Sequence, residues 1–226
     1  MCGRFTQIKS RDDYLAFLVE EAENDIPYDP EPISRYNVAP GTKVLLLNNR
    51  DNSFHLDPVL WSYAPGWWDK PPLINARVET AATSRMFKSL WNHGRAIVFA
   101  DGWFEWKKEG DIKQPYYIYR KDKKPLFFAA IGKQPFDVGD EAEGFLIVTA
   151  AADKGLVDIH DRRPLVFTPE AALEWMDPET TGAQVSELAL DAAVPADEFT
   201  WHPVTQSVGN VKNQGADLIK NTSDKI

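Results

Sequence analysis

Six stretches rich in β-branched and aromatic residues crowd the chain between Lys43 and Ala152, and they constrain the fold more than any other feature. They are KVLLLNN (43–49), FHLDPVLW (54–61), RAIVFADGWFEWKK (95–108), PYYIYRK (115–121), PLFFAAIG (125–132) and GFLIVTAAA (144–152). Short apolar runs of this kind read as strands. The links KEGDIKQ and KDKK, rich in Gly, Asp and Lys, suit antiparallel hairpin turns. Helical spacing occurs around the strands. Tyr14, Phe17 and Leu18 predict an amphipathic helix over 11–23. Residues 80–91 set Thr83, Met86, Phe87, Leu90 and Trp91 at three- and four-residue steps before a Gly94 stop, and PEAALEWM (169–176) begins with a well-placed Pro169. Four prolines between 25 and 42 exclude a long helix or central strand there. The expected fold is therefore α+β, one domain with an antiparallel, barrel-like β core and peripheral helices.

At 226 residues the chain is long enough to bury a core without disulfides, and 43% hydrophobic with 26% charged residues is a globular balance. No repeat or domain linker breaks it, so the domain is expected to run over 1–226, with a C-terminal tail from about residue 216. No apolar run approaches the roughly 18 residues that span a bilayer, and the N-terminus lacks a secretory pattern. The expectation is a cytosolic protein with no membrane partner. Lysine plus arginine number 25 against 34 acidic residues, a net charge of −9, which leaves room for a local basic cleft but not for a basic coat. One cysteine and four histidines offer no zinc-site spacing, so no metal and no cofactor are expected.

Cys2 is the most informative residue. Removal of Met1 would leave a cysteine whose α-amine and thiol sit on adjacent carbons. Ordinary pKa values of about 8 for the amine and about 8.5 for the thiol leave both partly nucleophilic near neutrality. Such a 1,2-aminothiol condenses with an aldehyde to an imine, which the thiol then closes to a thiazolidine. Around it stand Cys2-Gly3-Arg4-Phe5, Arg35-Tyr36-Asn37-Val38-Ala39-Pro40, Trp61-Ser62-Tyr63-Ala64-Pro65-Gly66-Trp67-Trp68 and Ile74-Asn75-Ala76-Arg77-Val78-Glu79-Thr80. Asp101-Gly102-Trp103-Phe104-Glu105-Trp106, Thr149-Ala150-Ala151 and Ile159-His160-Asp161-Arg162-Arg163-Pro164 follow. This ordered series resembles the SOS response-associated peptidase (SRAP) family from Cys2 through at least Gly209-Asn210-Val211-Lys212. The resemblance implies a single SRAP domain that captures abasic sites in single-stranded DNA, or at single-strand/duplex junctions, through a covalent thiazolidine to Cys2. It also implies a role in the response to DNA damage, lyase-type Schiff-base chemistry, self-removal of Met1, and a monomer associated with the nucleoid when bound.

The same resemblance gives roles to residues that have ordinary readings too. Asn75, a turn residue otherwise, would recognise the abasic sugar and position the N-terminus. Glu105 would be the general acid/base; alternation sets it opposite Phe104 and Trp106, where a solvated strand glutamate is the plain alternative. His160, otherwise an exposed histidine, would assist proton transfer beside the 3′ phosphate, and Thr149 would contribute to the pocket. Arg4, Arg77, Arg85 and Arg162 would grip phosphates, though singly each suits a surface ion pair. Trp68 with Pro40 would wedge bases apart, with Trp67 and Asn37 close by; buried aromatics are the alternative. A cysteine autopeptidase or amidohydrolase using Cys2, Glu105 and His160, and a non-covalent single-strand binding module, are the competing functions.

Overall fold

The computed structural model describes residues 2–18, 26–133 and 144–223. Thirteen strands build two sheets among them. The first sheet takes β1 (Phe5–Gln7), β2 (Arg35–Val38), β7 (Gly102–Glu109), β8 (Ile112–Arg120) and β13 (Phe199–Pro203), in the order β13-β8-β7-β1-β2. The second takes β3 (Lys43–Arg50), β4 (Ser53–Leu60), β6 (Arg95–Ala100), β9 (Leu126–Gly132), β10 (Phe145–Ala151) and β11 (Arg162–Pro164), in the order β11-β10-β9-β6-β3-β4. There β12 (Val166–Phe167) pairs with β9, and β5 (Asn75–Arg77) lies parallel to β10. The proline-rich stretch yields only the edge strand β2, and Pro58 lies in the edge strand β4, where a missing N–H is tolerated.

Strand alternation then creates three apolar layers. Along β6, Ala96, Val98 and Ala100 face the first sheet and meet Phe5, Val38, Trp103, Ile118 and Phe199 from it. Ile97 and Phe99 face the other way, onto the helices. Those are α1 (Arg11–Leu15), α2 (Val78–Ala81), α3 (Lys88–His93), α4 (Pro169–Met176) and α5 (Gly182–Asp191). The far face of the first sheet presents Phe104 and Tyr117 to Val204, Val208 and Leu218 of the C-terminal segment. The barrel-like core is thus two sheets packed face to face without closing on each other.

Several local expectations change. The helix expected over 80–91 is broken into α2 and α3, because residues 82–87 turn: Ser84 N–H donates to Thr80 O, and Met86 N–H donates to the Ser84 hydroxyl. Short hydroxyl side chains of this kind compete with the helical ladder. Gly94 does stop α3, and a Cβ there would lie 1.8 Å from Gly132 O of β9. The KDKK link is no hairpin; it carries the chain from β8 in the first sheet to β9 in the second, with Lys123 at φ 59° and Asp122 accepting from Lys124 N–H. The N-terminal helix spans Arg11–Leu15 with a turn through residue 18, its Ser10 N-cap paired reciprocally with Asp13, and the remainder of the expected 11–23 lies outside the described residues. The segment from 216, set apart as a tail, packs down: Leu218 is buried and Thr222 N–H donates to Pro203 O.

Candidate active site

The antiparallel register of β1 on β7 pairs Phe5 with Trp103, and Phe104 N–H donates to Arg4 O. Cys2 precedes β1, and its thiol lies close enough to Glu105 of β7 to feel that carboxylate's charge. Alternation sends Trp103 and Glu105 into the space between the sheets while Phe104 packs on the outer face. Glu105 is therefore not a solvated strand residue: it is 3% exposed. Burial raises its carboxyl to about 7, and the charge of Asp161 adds to the rise. Cys2 is fully buried among Phe5, Val38 and Ile147. Burial, and after it the negative charge of Glu105, pushes the thiol well above its usual value, against the accepted N–H of Arg4. The partly ionised thiol expected from an ordinary cysteine is thus corrected to one held protonated, because the inter-sheet core excludes the water that would stabilise a thiolate.

His160 follows a 3-10 turn, Lys154–Asp158, and its N–H is tied to Leu156 O. Its Nδ1 accepts from the Arg162 backbone N–H at 3.0 Å and also lies 2.9 Å from Asp161 Oδ1. The Arg162 N–H calls for an acceptor at Nδ1 and the Asp161 carboxylate for a donor there, while Nε2 lies 3.9 Å from Glu105 Oε2. Burial lowers the His160 pKa. The environment thus moves the carboxyl up to about 7, where it can both give and take a proton, and moves the imidazole down from its ordinary value, favouring its neutral form. A cavity of about 520 Å³ opens from this pair and is lined by Arg4, Glu105, Trp106, Lys113, His160 and Gly209.

Asn75, Arg77 and Thr149 come from β5 and β10, outside the lining of that cavity. Parallel pairing of Asn75 with Ile147 and Arg77 with Thr149 puts all four side chains on the inter-sheet face, while Ala76 and Val148 face the helices. Asn75 Nδ2 donates weakly to Ile147 O at 3.4 Å, and its buried Oδ1 has no hydrogen-bond partner among the described residues. An acceptor held dry in this way is available to a hydroxyl or an amine brought by a substrate. Thr149 is buried, and its oxygens accept from Arg162 Nη2 at 2.6 Å (O) and 3.2 Å (Oγ1). Arg162 also forms a two-pronged pair with Glu79, at 2.6 and 3.0 Å.

The other expected residues separate into two groups. Arg4 reaches Val208 O, Gly209 O and Asn37 Oδ1, with its guanidinium 5.9 Å above the Trp106 ring. Asn37 commits its Nδ2 to the Val208, Asn210 and Asn213 carbonyls, so it secures the C-terminal segment and not an open loop. Arg77 and Arg85 are exposed. Trp67 is 66% exposed, which excludes the buried reading for that indole, and it stands edge-on to half-buried Trp68. Trp68 is steadied by Pro71 O and by Lys70 over its ring. The loop carrying both tryptophans and the one carrying Pro40 leave the same end of the β3–β4 pair, where Gly41 N–H donates to Trp61 O. Sequence reading missed Trp106, Lys113 and Glu79; Trp106 alone had a signal, adjacent to Glu105 in an unusual run of aromatics. No cluster of three or more possible metal ligands occurs among the described residues.

Comparison with known proteins places residues 1–211 in a match to the family described as SOS response associated peptidase (SRAP). The chain is 74% identical over 220 residues to the abasic site processing protein YedK of Escherichia coli, covering 97% of this chain and 99% of that one. It is 30% identical to the abasic site processing protein YoqW of Bacillus subtilis, with the same coverage of 97% and 99%. Among solved structures, a phage-related protein from Bordetella bronchiseptica superposes with a TM-score of 0.78 at 38% identity, over 91% of this chain and 95% of that one.

Proposed function

The chain belongs to the SRAP family, and from that premise we propose that it processes abasic sites in single-stranded DNA by forming a thiazolidine cross-link through Cys2 after Met1 is removed. The observation that carries the reading is the burial of the Cys2 thiol within range of the charge of Glu105, a carboxyl that titrates at about 7. The abasic sugar opens to its C1′ aldehyde. The α-amine of Cys2 adds to that carbon, and water leaves to give the imine. The thiol sulfur then adds to the same carbon as the S–H bond breaks, and the proton passes to the former imine nitrogen. One water is released overall, and no oxidant or reductant is needed.

Glu105 suits both directions of proton flow in this sequence. Near neutrality it is divided between acid and base forms, so it protonates the departing hydroxyl and then takes the proton of a thiol too buried to ionise alone. His160, with Nε2 turned toward Glu105, supplies a second proton-transfer group at the same cavity, and the dry Asn75 Oδ1 holds the amine or a sugar hydroxyl. Arg4, Arg77, Arg85 and Arg162 hold backbone phosphates, and the exposed Trp67 with Trp68 and Pro40 part the bases beside the lesion. Such a wedge favours a single strand or a junction, since unstacking a paired site costs a few kcal/mol.

Intact-protein mass spectrometry before and after incubation with an abasic single-stranded oligonucleotide tests the proposal. The expected result is loss of Met1 and a gain equal to the oligonucleotide less one water. Cys2→Ala is expected to give no stable adduct, as is a protein that retains residues ahead of Cys2. An adduct formed by Cys2→Ala at the native yield overturns the mechanism.

A further inference from the structure

Arg162 is the best-held guanidinium of the site, and what holds it is a carboxylate. Glu79 in α2 presents both oxygens to Nη1 and Nη2, the fork geometry that a phosphate also offers. The Arg162 side chain is only 12% exposed and its Nη2 is further engaged by Thr149, whereas Glu79 is 45% exposed. A phosphate therefore cannot take two-pronged hold of Arg162 on its solvent side while Glu79 stays. Arg162 Nε is buried with no partner among the described residues, so the guanidinium gains nothing by turning inward. Glu79 has open solvent to turn into, and the very short helix α2 anchors it lightly. Arg77 is the other cation whose charge reaches this carboxylate.

Resting on the DNA-capture reading above, we propose that Glu79 is a built-in occupant of the phosphate fork of Arg162, displaced when the backbone of a single strand enters. The carboxylate keeps the guanidinium aligned in the empty site and is given up when a backbone phosphodiester, offering the same two-oxygen fork and held by the strand's other contacts, takes its place. Glu79 lies on the solvent side of the pair, so water takes over its oxygens as it leaves while the incoming phosphate takes over the two guanidinium donors, and little is lost in the exchange. It also discriminates: a ligand lacking a phosphate at this position has nothing with which to remove Glu79.

The test measures equilibrium affinity for a single-stranded oligonucleotide carrying a tetrahydrofuran abasic analogue, which lacks the aldehyde and cannot cross-link. Glu79→Gln keeps the size of the side chain and removes its charge. It is expected to tighten binding about fivefold at low salt, the scale of one ion pair open to solvent on its carboxylate side. In an Arg162→Gln background the same change is expected to alter affinity less than about twofold. Glu79→Asp, too short to span the fork, should also bind more tightly than the native chain, and thermal melting checks that each variant folds. Unchanged or weaker binding by Glu79→Gln overturns the proposal by making Glu79 an organiser of Arg162 or a bystander. Equal tightening in both backgrounds overturns it as a general charge effect. The capture reading is judged separately, by whether the native protein forms an adduct with a natural abasic site.

Discussion

Glu105 concentrates the conflict between stability and chemistry. Its carboxyl is raised from about 4.5 to about 7 on folding. A carboxyl raised in this direction binds its proton more tightly in the folded chain, so its stabilising share is complete below about pH 4.5 and is lost as pH climbs through about 7. The full difference is about 3 kcal/mol by the usual conversion. Glu105→Gln is therefore expected to melt higher than the native protein at pH 8 and to show little advantage at pH 4.5. At saturating abasic DNA the same variant should cross-link about a hundredfold more slowly, the lower range for a lost acid–base group. Single-turnover rates and melting curves at both pH values check this, and a native rate in the variant would return Glu105 to a packing role. At this scale the sequence was informative where the chemistry is local. The aminothiol of Cys2 is a property of one residue, and strand alternation sufficed to separate Glu105 from Phe104 and Trp106. The protonated state of the thiol was hidden because the residues that bury it come from both sheets. Glu79 was hidden because its partner lies 83 residues away.

The elements behind the site are locked by one cation. Arg95, at the start of β6, is 4% exposed and donates to Trp91 O, Asn92 O, Trp175 O, Asp177 O and Thr180 O, gathering the carbonyl ends of α3 and α4. Arg95→Ala leaves those carbonyls without donors and is expected to cost about 3 kcal/mol. Because they lie on the helix side of the second sheet, the cross-linking rate measured well below the melting temperature should not change. A loss of rate without a loss of melting temperature would link the helix layer to the chemistry. Strongly periodic elements were legible in advance: the main strands, and α4 with its first-turn proline, to which the structure adds a Thr168 cap. By contrast α5, β5 and β13 were not foreseen. The buried stripe of α5 is only Val185 and Ala189, and β13 mixes half-buried polar and aromatic residues along the sheet edge. KDKK misled because turn-forming composition reports a change of direction and not which sheet receives the next strand.

For the molecule as a whole, a net charge of −9 and a cluster of arginines at one mouth have opposite effects on DNA. Binding should weaken steeply with salt, and Arg77→Ala, which removes an exposed cation, should lower the slope of log affinity against log salt by about 0.7, the value for one single-strand phosphate. Titrations between low and moderate salt measure it; an unchanged slope would exclude Arg77 as a phosphate ligand. The site is also assembled from the two extremes of the chain, since Arg4 is held by Val208 O across 204 residues. A ribosome makes Arg4 long before it makes the carbonyls that clamp it, so a nascent chain cannot complete this pocket until the closing segment has emerged. Products cut short before Val208 would carry Arg4 without the carbonyls that clamp it.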